Sequence, residues 1–138
     1  MHKLILSAAM LIGCASAVPA HGAEPITGRW TTQDGKAVIT IAQCGEGICG
    51  RVSKILKGPP GGPPLDRNNP DEGLRKRPVL GIKVLSGFTD EGKDWRGRIY
   101  DPEGGKWYKS IVERDGNILK AKGCVLFVCR TQRWTSAN

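Results

Sequence analysis

Catalysis near neutral pH most often starts from an imidazole, and this chain carries two, His2 and His21, both within its first 23 residues. From Ile26 onward there is no histidine, so that part has no Ser–His or Cys–His nucleophile pair and no imidazole metal ligand. Carboxylates are the next candidates. Asp34, Glu46, Asp90, Glu91, Asp94, Asp101, Glu103 and Asp115 all stand in or beside glycine-bearing turn sequences, where Asp and Gly serve backbone geometry. Asp71 and Glu72 suit a helix start, which leaves Glu24, Asp66 and Glu113 scattered. A paired acid–base site can still assemble in three dimensions, but no spacing points to one. No glycine loop leads from strand to helix to cradle phosphate. The expectation is a protein that is not an enzyme and has no catalytic residues, cofactor or metal.

Thiols are the remaining reactive groups. Four of the five cysteines fall in two identical spacings, Cys44-x4-Cys49 and Cys124-x4-Cys129. An even count in an oxidising compartment reads as disulfides. Pairing within each spacing closes a short loop worth roughly 2 kcal/mol; pairing across them closes a loop near 80 residues, worth roughly 4.5 kcal/mol. Each pair flanks a plausible hairpin turn, which favours local pairing. A zinc site of four thiolates is the alternative, opposed by oxidation and by spacings longer than usual.

The compartment follows from the first 23 residues, which read as an export leader: Lys3, an apolar run from Leu4 to Gly13, then small residues suited to cleavage after Ala20 or Ala23. Leu11-Ile12-Gly13-Cys14 also has the form of a lipobox, so lipid attachment at Cys14 is a second route. Lys3 is the only charged residue of the leader, leaving +7 of the chain's formal +8 on residues 24–138. Such a charge suits loose association with anionic envelope components. Export takes nucleic acid away as a partner. No apolar run reaches the roughly 18 residues of a spanning helix, so the expected protein does not cross the membrane by a helix.

Residues 24–138 are expected to form one domain. Strand signals recur between glycine turns at Ile26–Thr32, Ala37–Gln43, Ile48–Ile55, Gly81–Phe88, Trp95–Tyr100, Lys106–Arg114, Ile118–Lys122, Cys124–Val128 and Arg130–Thr135. This predicts an all-β fold, an antiparallel meander of about eight strands that closes to dispose of its edges. The segment from Lys57 to Pro78 interrupts it. Gly58-Pro59-Pro60-Gly61-Gly62-Pro63-Pro64 cannot join a ladder and reads as an exposed loop. Asn69-Pro70-Asp71-Glu72 then starts a short helix capped by Asn69, with Arg75-Lys76-Arg77 in its last turn and Pro78 ending it.

Gly28-Arg29-Trp30 near the start and Arg130 and Arg133 near the end resemble the G-x-W and closing basic residue of lipocalin-like barrels. In that arrangement Trp30 plugs the closed end and an arginine of the last strand covers its ring. Further motifs follow in order: Cys49-Gly50-x-Val52, Asp66-x-x-Asn69-Pro70, Leu74-Arg75-x-Arg77-Pro78-x-x-Gly81, Ile99-Tyr100-Asp101-Pro102-x-x-Gly105-Lys106-x-Tyr108 and Arg130-Thr131-Gln132-x-Trp134-Thr135. Together they resemble the exported bacterial family known as domain of unknown function 2147. The resemblance implies a small lipocalin-like barrel of the cell envelope and brings no reaction or ligand. Arg96-Gly97-Arg98, Arg133 and the terminal Thr135-Ser136-Ala137-Asn138 depart from the family pattern.

A cup-shaped barrel with a Pro/Gly portal predicts binding of a small apolar or amphipathic ligand. Asp66, Asn69, Arg75 and Arg77 of the portal, with Tyr100 and Tyr108 on neighbouring strands, are the expected ligand-binding residues. Gly28, Trp30, Arg130 and Trp134 are expected to be structural. The alternative is a protein- or anionic-glycan-docking module whose barrel is filled by its own side chains.

Overall fold

Valine, isoleucine and threonine recur between glycine turns from Ile26 onward, and that composition pairs into sheet rather than coiling into helix. The computed structural model of the protein describes residues 13–15 and 22–138. Most of the expected leader lies outside the described residues, as do both histidines; Cys14 is described, exposed and unbridged.

Eight strands follow one another: β1 (Gly28–Thr31), β2 (Ala37–Cys44), β3 (Gly47–Ile55), β4 (Lys83–Asp90), β5 (Trp95–Asp101), β6 (Lys106–Asp115), β7 (Ile118–Val125) and β8 (Val128–Ser136). Each pairs antiparallel with the next, and β8 returns to β1 through Trp30–Ser136 and Thr31–Thr135, closing the barrel. The predicted fold class is the observed one. Up-and-down order gathers the β1–β2, β5–β6 and β7–β8 turns with the long β3–β4 connection at one end. The β2–β3, β4–β5 and β6–β7 turns lie at the other.

That second end is packed solid. Ile26, Trp30, Ile41, Ile48, Phe88, Val112 and Leu119 are all buried in one apolar cluster. Gly97 makes the packing possible, since a Cβ there would lie 2.6 Å from the Phe88 ring and 2.7 Å from the Ser86 carbonyl. Its register neighbour Ser110 also faces Gly123, and the Ser110 hydroxyl is buried without a hydrogen-bond partner among the described residues.

Both cysteine pairs close locally, as Cys44–Cys49 across the β2–β3 turn and Cys124–Cys129 across the β7–β8 turn. Disulfides persist in oxidising compartments, which fits an extracytoplasmic protein.

Three expectations need correction. Cys124–Val128 is not a strand of its own. β7 runs through Cys124 to Val125, the chain turns at Leu126-Phe127, and β8 starts at Val128, because Cys124 and Cys129 are register partners and the turn must fall between them. The short helix is one 3-10 turn, Glu72–Leu74, capped by the Asp71 carboxylate on the Gly73 N–H rather than by Asn69. Asn69 accepts instead from the Asp71 N–H (2.8 Å), which turns the chain before the helix starts. Finally, Arg130 does not cover Trp30. The β8 neighbour of Trp30 is Ser136, and six residues of strand place Arg130 roughly 20 Å away. Arg114 of β6 covers the indole instead, its guanidinium carbon 5.2 Å from the ring centre, while Arg114 also donates to the Pro25 and Gly116 carbonyls.

Candidate functional site

Side chains alternate along a strand, so every second residue of a barrel strand points inward. Near the packed end these inward residues meet and fill the space. Toward the other end they do not. On β8 the inward series Val128, Arg130 and Gln132 stays exposed, and only Trp134, deeper in, is buried. The result is a cup of about 1120 Å³ whose wall includes Ile39, Val52, Val84, Ile99, Ala121 and Trp134. A volume of that size is slightly larger than the roughly 300–1,000 Å³ of usual small-molecule sites. The alternative of a barrel filled by its own side chains does not describe this end.

Polar residues form the rim. The Lys36 ammonium, from the β1–β2 turn, meets the Glu103 carboxylate of the β5–β6 turn at 2.8 Å. The Glu103 carbonyl accepts from the Asn68 side chain at 2.6 Å, so three of the four connections at the mouth are clasped together. Gly105 permits the approach: it holds φ +65°, and a Cβ there would run into the Asn68 carbonyl. Arg130 lines the cup without an ion-pair partner among the described residues.

The structure gathers four of the expected ligand residues into one cluster, but behind the cup wall. Asp66 is 0% exposed. One of its oxygens accepts from Tyr100 Oη at 2.7 Å, and the other from Asn69 Nδ2 and Arg77 Nε, each at 2.8 Å. The Asp66 N–H donates to the Arg77 carbonyl and its own carbonyl accepts from the Asn69 N–H. Arg75 joins at one remove through the Asn69 carbonyl. Burial pushes the Asp66 carboxyl toward protonation, but the hydrogen bonds from Tyr100, Asn69 and Arg77 and the Arg77 charge outweigh it and hold the group below 3.8. The same burial, with the Asp66 charge alongside, pushes the Tyr100 hydroxyl up to about 12. A carboxylate with both oxygens engaged is not free to bind a ligand. The cluster fastens the portal segment to β5.

Tyr108 does line the cup, and Tyr100 contributes at its edge. Trp134 lies in the wall with its indole N–H donating to Gln132 (2.9 Å). Trp30 is buried below the cup, its indole N–H donating to the Ile26 carbonyl (2.9 Å), and Gly28 adopts φ +133° beside it. Sequence reasoning missed the Lys36–Glu103–Asn68 clasp, whose members lie 67 and 35 residues apart. It missed Arg130 as a cup residue. It placed a hairpin turn between Cys124 and Cys129 from the cysteine spacing, but ran a strand through Val128 and did not single out the exposed Leu126-Phe127 apex. Among the described residues no three His, Cys, Asp or Glu side chains stand close enough to hold a metal ion, and no helix is long and apolar enough to cross a membrane.

No curated protein matches the chain. A solved structure described as protein HP1028 from the human pathogen Helicobacter pylori, a member of the lipocalin family, superposes with a TM-score of 0.73. The two are 20% identical over 83% of this chain and 84% of that one, which speaks for a shared fold. The bacterial family described as "Uncharacterized protein conserved in bacteria (DUF2147)" matches residues 28–136.

Proposed function

We propose that this chain, which belongs to the bacterial family DUF2147, holds a small apolar or amphipathic ligand in the open end of its barrel, outside the cytoplasm and without turning it over. The observation that carries this reading is the cup of about 1120 Å³, apolar in its wall and polar at its rim. The apolar and aromatic lining that the fold leaves part-exposed, at Ile55, Ile99, Tyr108 and Val128, gains free energy when a ligand covers it. Arg130, at the cup wall and without an ion-pair partner among the described residues, suits an acidic headgroup. Tyr108 offers a hydroxyl with an aromatic body. The carboxylate best shielded from water, Asp66, is spent on holding the portal, which supports binding rather than catalysis.

Titration with a fluorescent amphiphile such as anilinonaphthalene sulfonate tests the cup. The expected result is one site per chain, weakened at least tenfold by Gly123→Leu, which extends a side chain into the cavity from a strand position with room for a Cβ. Absence of a saturable site, or binding unaffected by that substitution, overturns the proposal. A periplasmic or secreted location is part of the same reading. The intact mass of the protein recovered from its host distinguishes cleavage after Ala20, cleavage after Ala23 and acylation at Cys14.

A further inference from the structure

The hairpin joining β7 to β8 puts two large apolar side chains, Leu126 and Phe127, where a soluble protein gains nothing from them. Cys124 and Cys129 are bridged register partners, Val125 pairs with Val128, and Leu126 and Phe127 form the apex. Exposure is 57% at Val125, 91% at Leu126, 100% at Phe127 and 69% at Val128. Other turns of this barrel use Asp34-Gly35, Gly45-Glu46 and Gly116-Asn117, the residues that tight turns favour. Leu126 instead holds φ +52°, the one positive value on a non-glycine residue among those described. A bulky side chain rarely adopts that conformation, and glycine would hold it without strain. The leucine thus costs the fold and is not repaid by burial, so its use lies outside the barrel.

The surroundings say what kind of partner. Arg98 of β5, Lys109 of β6 and Cys124 stand on one register row, and Lys106 opens β6 at the mouth. None of these three cations is in an ion pair among the described residues, whereas Lys120 and Lys122, further down β7, pair with Asp115 and Glu113. Trp107 lies two residues from Lys109 toward the mouth, part-exposed, with the Arg98 guanidinium carbon 5.1 Å from its ring centre. A convex apolar apex backed by unpaired cations and an indole matches the interfacial layer of an anionic bilayer: apolar groups enter the acyl boundary, cations meet phosphate, and the indole sits between. A second copy is a poor occupant, because each chain carries +8 and the two basic faces would meet.

We propose that the disulfide-stapled Leu126-Phe127 apex inserts into the surface of a bilayer containing anionic phospholipid and seats the mouth of the cup on it. The proposal stands apart from what the cup holds. Flotation of the oxidised protein with vesicles of phosphatidylglycerol and phosphatidylethanolamine, against vesicles of phosphatidylcholine alone, tests it. Expected are at least tenfold stronger partitioning to the anionic vesicles, weakening with added salt, and a tenfold or greater loss in the Leu126→Ser/Phe127→Ser double variant. That variant should keep its melting temperature, since the Leu126 and Phe127 side chains are almost wholly exposed. Lys106→Glu with Lys109→Glu should erase the preference for anionic lipid, and Phe127→Trp should add a blue-shifted emission when vesicles are present. Failure of the wild-type protein to float at low salt overturns the proposal, as does partitioning unchanged by Leu126→Ser/Phe127→Ser. So does a concentration-dependent dimer that the same double variant abolishes, which would assign the apex to a second copy. A chain that binds the amphiphile in solution but ignores vesicles refutes this proposal and leaves the cup standing.

Discussion

Asp66 decides how the portal is held, because a fully buried carboxylate survives only with its charge and lone pairs answered. Asp66→Ala leaves the Tyr100 hydroxyl and the Asn69 amide without their acceptor; Arg77, about a third exposed, can turn to water. A loss of about 3 kcal/mol in urea unfolding is expected. Tyr100→Phe removes one bond and should cost about 1 kcal/mol. The pH dependence follows from the direction of each shift. Asp66 sits below 3.8 in the folded chain, so its contribution is complete above 3.8 and drains away as pH falls through the lowered folded value. Tyr100 is raised from 10.0 to about 12, so its contribution is complete below 10.0 and is lost as pH rises toward 12. Urea midpoints should fall at both extremes, the acid loss shrinking in Asp66→Asn and the alkaline loss in Tyr100→Phe. Asp66, Asn69, Arg75 and Arg77 were legible as a set because they crowd one short segment. Their purpose was not, since the partner that explains it, Tyr100, lies 34 residues on in sequence.

Among the elements, the turns were read well and the strand limits around the apolar turn poorly. Asp-Gly and Gly-Asn pairs announced the hairpins of β1–β2 and β6–β7 in the correct places. Cys124-Val125-Leu126-Phe127-Val128-Cys129 has strand composition throughout, and only the bridge, with the register it imposes, puts a turn in its middle. Removing that bridge by Cys124→Ser with Cys129→Ser should cost about 2 kcal/mol through the entropy of the unfolded chain. The short helix was misjudged for a related reason: Asn69, Arg75 and Arg77 look like cap and dipole partners but bond within the loop. Gly97→Ala should destabilise by about 1–3 kcal/mol, because the Phe88 ring and Ser86 carbonyl leave no room for a methyl group. Thermal denaturation monitored by circular dichroism reads both effects.

For the whole molecule, alternation and closure foretold a barrel but not how much of it would be empty. Interior volume depends on which inward residues are small and on where the core stops, and that is set by contacts between strands remote in sequence. Packing is complete around Phe88 and Trp30 and gives way above them to the cup. Ser110 lies in the wall between Gly97 and Gly123 with its hydroxyl unanswered among the described residues, so Ser110→Ala should leave the melting temperature unchanged or raise it. The central claim is that the open end is made to be occupied. Native mass spectrometry of the protein taken gently from the cell that makes it tests this most directly. The account predicts a mass excess of one small molecule per chain that is lost on denaturation and diminished by Gly123→Leu; a bare chain in every preparation would contradict it.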